Sequence, residues 1–428
     1  MADVLPLRAL HYDLARTGGL APVTAPPYDV IDAEQRAALH ASSPHNVVAI
    51  DLPEGPEPYE QAATTLAAWR SDGIVVRDPE PALWVLTQDY TGPDGRARTR
   101  RGFFARVRVE EYGPGRIRPH ERTHPGPKED RLRLTRATQA NLSPIFSLYD
   151  DPIGAAWAAL EAGAHGDPFG ETTDADGTVH RLWRIADPAA AEAVHAALAD
   201  TELLIADGHH RYETAKVYAE ELGGGEGGHR YVLMCLVALQ DPGLTIFPTH
   251  RLVRGLQGDS PRQEALAATL REHFEIERID AADLRPPDRD APGPFELGYI
   301  DSHFQQAFRL TLRDPGAAEA LLADRPPAYR RLDTAILESL ILKGPLGLSD
   351  DDISHLEGLG YSRTDEEALE LVRSGAYDVA FFLRPSPVAQ VREIAAAGET
   401  MPPKSTYFFP KVLTGMLFNP LDDQGSPT

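Results

Sequence analysis

Asp207-Gly208-His209-His210-Arg211 brings a carboxylate, a turn glycine, two imidazoles and a guanidinium together in one short run. The apolar ELLIA before it (202–206) reads as a strand, and RYETAKVYAEEL after it reads as an amphipathic helix. The first N–H groups of a helix have no intrahelical acceptor and favour an anion in the turn before it. Gly208 permits that turn, Arg211 can clamp an anion bidentately, and His209 and His210 add donors. Asp207 opposes a phosphate unless it binds Mg²⁺ or takes a proton from an attacking hydroxyl. A simple N-cap is the plainer alternative, but a cap has no need of a His-His-Arg triplet behind it. The residues alone therefore define an anion site that contains a carboxylate.

Three further stretches carry chemistry. RIRPHERTHPGPKEDRLRLTR, 116–136, has seven basic and three acidic residues in a chain of net charge −23. That excess suits a flexible lid closing on an anion, with Lys128 and Arg131 as phosphate contacts and Glu121 and His124 as acid–base or metal candidates. His120-Glu121-Arg122-Thr123-His124 is a literal H-E-x-x-H match, which would make a zinc hydrolase only on a helix. Pro119 before it and Pro125-Gly126-Pro127 after it leave no room for such a helix. In GETMPPKSTYFFPK, 398–411, Lys404, Ser405 and Thr406 offer a cation beside two hydroxyls, without the glycines of a P-loop. FPTHRLV, 247–253, adds Arg251 at the end of a strand, with Thr249 and His250 beside it. Tyr28-Asp29 and SPHN (43–46) are explained by turn chemistry.

The elements that must position these groups alternate loosely. A long hairpin is expected over 82–90 and 101–109, and a second over 295–300 and 306–312. Helices are expected at 60–73, 188–200, 260–273 and 365–375, and residues from 116 up to the strand SPIFSLYD (143–150) read as irregular. The pattern is a mixed α/β (α+β) fold without doubly wound rhythm. DLRPPDRDAPGP, 283–294, reads as a linker. It divides the chain into an N-terminal lobe, 1–282, with the basic lid and the DGHHR loop, and a C-terminal α/β lobe, 283–428, lending MPPKST to a shared site.

Composition narrows the partners. With 42 basic against 65 acidic residues, the chain repels nucleic-acid backbones, and no helix-turn-helix is visible for a DNA-acting switch or nuclease. The single cysteine, Cys235, excludes an intrachain disulfide and reads as a core residue in the strand YVLMCLVAL. No signal peptide and no apolar run of membrane-spanning length is found, so a cytoplasmic protein acting on small molecules is expected. Oligomeric state is not readable. Lysine is scarce, five against 37 arginines, and four of the five lie in the segments above.

APPYDVI, HPGPKEDRLRLTRATQANLSPIFSLY, IADGHHRYETA, FPTHRLV and GETMPPKSTYFFPK together resemble the bacterial and archaeal domain-of-unknown-function family 1015. The DGHHR unit is also similar to the loop with which ParB-like and sulfiredoxin-like proteins hold nucleotide phosphates. The resemblance implies a ParB/sulfiredoxin-like core with an additional α/β lobe. It also implies phosphoryl transfer from pyrophosphate, or a nucleotide, to a small hydroxyl compound such as free L-serine. On that pattern Asp207 is the base or a Mg²⁺ ligand, and Gly208, His209, His210 and Arg211 hold the donor. Lys128, Arg131, Arg251, Lys404, Ser405 and Thr406 neutralise charge. A non-catalytic regulator binding a phosphometabolite or nucleotide is the alternative.

Overall fold

The computed structural model describes residues 3–121, 123, 125–223, 225–288 and 293–422. The chain forms two compact units. Unit 1 comprises 1–119, 123–245 and 410–428, and unit 2 comprises 120–122 and 246–409. The expected boundary at 282/283 therefore falls inside unit 2, and the end of the chain returns to unit 1. The proline-rich stretch joins two strands of one sheet. Proline marks a loop, and composition does not say whether that loop leaves a domain.

Unit 1 is built on a nine-stranded mixed sheet. Its strands are β1 (Val4–Leu5), β2 (Leu83–Thr91), β3 (Ala97–Arg108), β4 (Ile117–Arg118), β5 (Ile145–Tyr149), β6 (Gly170–Thr173), β7 (Val179–Ile185), β8 (Leu203–Asp207) and β9 (Tyr231–Ala238). The order is β4-β8-β5-β9-β3-β2-β7-β6, with β1 added to β3. β2 and β3 form the expected long hairpin, Trp84 opposite Phe104 and Thr91 opposite Ala97. The β5–β9 and β4–β8 pairs are parallel and the others antiparallel.

Phe103, Val107, Ile145, Ile205, Met234 and Leu236 form a buried core together with Ala156 and Leu160 of α3 (Ala155–Glu161) and Val194 and Leu198 of α4 (Pro188–Leu198). Tyr212 and Ala215 of α5 (His209–Glu221) join the same core. A second core gathers Leu66 and Trp69 of α1 (Pro58–Ser71), Leu134 of α2 (Pro125–Thr138), Leu142 and Phe418. Helix α2 lies where an irregular lid was expected. Proline is tolerated in a first helical turn, where the missing N–H has no partner to lose, so Pro-Gly-Pro starts this helix. Cys235 is fully buried, and burial pushes its thiol up to about 12, as a core residue requires.

Unit 2 has a six-stranded antiparallel sheet. Its strands are β10 (His250–Val253), β11 (Phe274–Arg278), β12 (Glu296–Asp301), β13 (Phe308–Leu312), β14 (Leu359–Ser362) and β15 (Val379–Phe382), ordered β11-β13-β12-β15-β10-β14. Leu252, Ile300, Ala380 and Phe382 pack with Ala368 and Val372 of α7 (Asp365–Arg373); α6 (Ser260–His273) precedes β11. Among the described residues no helix is long and apolar enough to cross a membrane.

The central strands define the stability of unit 1. Leu236→Ala, at a fully buried position of β9, is expected to cost about 2–5 kcal/mol in urea unfolding. Leu222→Ala, at a residue 55% exposed, should stay within about 0.5 kcal/mol of wild type.

Candidate functional site

Strand β8 hands over to α5 within two residues. Asp207 is the last residue of the strand. Gly208 is the N-cap, at φ 97° and ψ 28°, and no side chain caps the helix. Asp207 is thus not the cap. A β-bulge between Ile205 and Asp207 in the pairing with β5 sets its direction at the strand end. Its Oδ1 accepts from Lys411 Nζ at 2.5 Å and its Oδ2 from Arg211 Nη2 at 2.6 Å. Burial alone would raise this carboxyl's pKa, but Lys411 and Arg211 outweigh it and hold the group well below the usual carboxylate range. Asp207 is therefore ionised at neutral pH.

Around this pair lies a second charged group. Arg211 also donates to the carbonyl of Pro144, and its Nε has no hydrogen-bond partner among the described residues. The Tyr28 ring lies 6.0 Å from the Arg211 guanidinium and 4.4 Å from that of Arg131. Burial pushes the Tyr28 phenol up to about 12 despite both cations. Arg131 pairs with Asp130 at 2.6 Å, and its Nη1 donates to the Asp51 carbonyl at 2.7 Å and carboxylate at 3.3 Å. Ser143 Oγ donates to Asp51 Oδ2 at 3.0 Å. Burial raises the Asp51 pKa, opposed by Arg131 and Ser143. Asp51, Arg131, Ser143, Arg211 and Thr214 line a cleft of about 40 Å³, room for little more than water.

The structure thus brings Asp207, Gly208 and Arg211 into one unit with Arg131 and Lys128. The Lys128 carbonyl accepts from Thr214 Oγ1 on α5 at 3.4 Å. His209 is 4% exposed and His210 half-buried, both in the first turn of α5. Sequence reasoning left Asp51 and Ser143 unmentioned as site residues, and for Lys411, one of two lysines in the 398–411 segment, it favoured a site over the surface. Lysine scarcity was the one signal pointing to Lys411.

Arg251, Lys404, Ser405, Thr406 and Glu121 belong to unit 2. Arg251 is 3% exposed, and its Nη1 donates to the Thr249 and Lys404 carbonyls at 2.7 and 3.1 Å. Its Nη2 reaches the Pro403 carbonyl at 3.3 Å, and its guanidinium lies 4.5 Å from the Tyr361 ring. Arg251 therefore clamps the Pro403–Lys404 backbone, where Lys404 adopts a left-handed φ of 54°. Ser405 Oγ is buried against Thr334 Oγ1 at 2.9 Å, and Thr406 Oγ1 lies 2.9 Å from His120 Nε2. The backbone N–H of Leu383 donates to His250 Nδ1, so its Nε2–H faces Asp365 at 2.8 Å; burial lowers its pKa, as befits a neutral core imidazole. Of the H-E-x-x-H match, the described residues His120, Glu121 and Thr123 are not helical and precede α2; Arg122 and His124 lie outside the described residues.

No group of three or more His, Cys, Asp or Glu side chains able to hold a metal occurs among the described residues. At Asp207 both carboxylate oxygens are already held by cations. That donor set does not fit a resident Mg²⁺, which needs carboxylate oxygens open to it.

A family described as "Protein of unknown function (DUF1015)" matches residues 4–335. No curated protein matches the chain. Among solved structures, "Free serine kinase in complex with AMP" is similar at 14% identity and a TM-score of 0.34, over 68% of this chain and 83% of that one. "SbnI with C-terminal truncation from Staphylococcus aureus" is similar at 13% identity and a TM-score of 0.36, over 73% and 85%. A conserved hypothetical protein from Pyrococcus furiosus is similar at 14% identity and a TM-score of 0.33, over 68% and 86%. Likeness at this level does not extend to the chemistry.

Two expectations follow from the turn and the ion pair. A Cβ at Gly208 would sit 3.0 Å from Arg211 Nε at a φ that side chains avoid. Gly208→Ala should therefore cost about 1–2 kcal/mol in urea unfolding; a loss no larger than an ordinary surface change would show that the turn relaxes. Asp207 has a folded pKa below its unfolded value of about 3.9, so the pair stabilises fully above that pH and fades as pH falls through the folded value. Removing one member of this half-buried pair should cost less than the ~3–5 kcal/mol of a fully buried one. The deficit of Asp207→Asn should be constant from about pH 5 to 8 and shrink below about pH 4 in unfolding titrations.

Proposed function

We propose that this chain, which belongs to the DUF1015 family, is a phosphotransferase that moves a phosphoryl group from pyrophosphate, or a nucleotide, to the hydroxyl of free L-serine, giving O-phosphoserine. The observation that carries the reading is the half-buried Asp207 carboxylate held by Lys411 and Arg211 at the start of α5. All the machinery named here lies in unit 1.

Phosphoryl transfer asks little covalent chemistry of a protein and much positioning of charge. Lys411 and Arg211 release part of their hold on Asp207 to the oxygens of the transferring phosphoryl group. The start of α5, with Gly208, His209 and His210, faces the leaving phosphate. Lys128 and Arg131 add positive charge beside it. In a loose transition state the attacking hydroxyl loses its proton late, when it is most acidic. A carboxylate as weakly basic as Asp207 can then take that proton.

One observation favours a second reading, a non-catalytic phosphometabolite-binding regulator. Lys411, Arg211 and Arg131 are each already paired with a carboxylate, which holds charge in balance without any turnover. Purified protein given L-serine with pyrophosphate, ADP or ATP separates the two. The phosphotransferase produces O-phosphoserine with at least one donor. Asp207→Asn, confirmed as folded, loses about 10²-fold or more in turnover while calorimetry still finds pyrophosphate bound. Donor binding to wild type without transfer to serine or any other small alcohol would leave the regulator standing.

A further inference from the structure

Three polar residues lie abreast across the buried middle of the unit 1 sheet. His180 on β7 pairs in register with Gln88 on β2, and Gln88 with Arg100 on β3. All three are at most 1% exposed. Such residues in a sheet interior are costly unless their hydrogen bonds are made.

Their bonds have one consistent arrangement. Arg100 can only donate, and its Nε reaches Gln88 Oε1 at 2.9 Å. The Lys411 carbonyl can only accept, and Gln88 Nε2 reaches it at 3.0 Å. These two partners fix which way the amide faces. The other Nε2 hydrogen then points to His180 Nδ1 at 3.1 Å, making Nδ1 an acceptor. His180 Nε2 must carry the ring proton, and it donates to Asp174 Oδ2 at 2.8 Å. Asp174 is itself anchored by the backbone N–H groups of Asp176 and Thr178. The Arg100 guanidinium is further held 4.4 Å from the Phe146 ring, the residue paired with Asp207 in the sheet.

We infer that Gln88, its amide oriented by Arg100 and His180, is the positioning residue that sets the Lys411 backbone and so aims the Lys411 ammonium at Asp207. The amide reaches the lysine at its carbonyl, while the ammonium of the same residue reaches Asp207. A shift of that carbonyl moves the origin of the side chain that grips the carboxylate. Only the kinetic part of this inference rests on the proposed phosphotransferase reading.

Five lysines make the test direct. Protein carrying isotope-labelled lysine gives five side-chain ammonium signals by NMR, and Lys411→Arg assigns the one of interest. Gln88→Glu keeps an acceptor for Arg100 but removes the donor to the Lys411 carbonyl. The Lys411 signal should shift while the other four stay in place. His180→Leu, which removes the acceptor that orients the amide, should shift the same signal. His180→Asn, which can keep an acceptor near the Nδ1 position, should restore it. If serine phosphorylation is found in wild type, Gln88→Glu should lower kcat on the order of 10²-fold with KM little changed. An unmoved Lys411 signal in folded Gln88→Glu and His180→Leu proteins would overturn the inference. Absence of turnover in wild type would sink the phosphotransferase reading and leave the NMR result to decide this one.

Discussion

A half-buried carboxylate at the end of a strand is the constraint on which unit 1 turns. Taking Asp207 largely out of water is costly unless opposite charges compensate for it. Arg211, four residues on along the helix, supplies one such charge. The other comes from Lys411, more than two hundred positions away along the chain. The segment that carries Lys411 is laced down on unit 1. Thr414 exchanges backbone bonds with Ala25, Phe418 with Leu10, and Leu421 donates to the Gln139 carbonyl. Gly415 is packed so close to the Val23 carbonyl that a Cβ would sit 2.8 Å from it. The ion pair and the lacing support each other. The backbone bonds bring Lys411 to the sheet, and the buried charge makes its absence expensive.

The same burial explains why so many cations of unit 1 are already matched. Arg131 with Asp51 and Asp130, Arg211 with Asp207, and Lys411 with Asp207 form a network in which each of these cations has a carboxylate partner. An incoming phosphate has to compete with carboxylates for these donors. On the proposed phosphotransferase reading, such a site would favour ligands that carry several negative charges, because only those gain more than the carboxylates give up.

Much of this was legible from the sequence. Alternation gave the β2–β3 hairpin, and the apolar run ELLIA ending in Asp-Gly gave the strand-to-helix turn with its charged residues in place. Helix α2 was hidden because Pro-Gly-Pro and a dense mixture of charges mask the spacing of its buried leucines, Leu132 and Leu134. Asp51 and Ser143 were hidden for another reason. Each is a common residue in an unremarkable stretch, and only the fold brings them within 3.0 Å of one another. The domain boundary failed on chemistry that proline shares between linkers and loops.

Arg251 shows the limit of reading cations from a motif. In the sequence it stands beside Thr249 and His250 like a residue waiting for an anion. In the fold its donors close on the carbonyls of Thr249, Pro403 and Lys404, and its face covers Tyr361. A guanidinium satisfies phosphate oxygens and backbone carbonyls by the same planar fork, so residue type cannot tell a ligand contact from a structural clamp. What separates them is whether a donor remains open. Arg211 keeps Nε without a hydrogen-bond partner beside the cleft, whereas Arg251 holds a left-handed lysine backbone in place. On the proposed reading the distinction gives the two arginines opposite duties, and it rests on hydrogen bonds that only the folded chain displays.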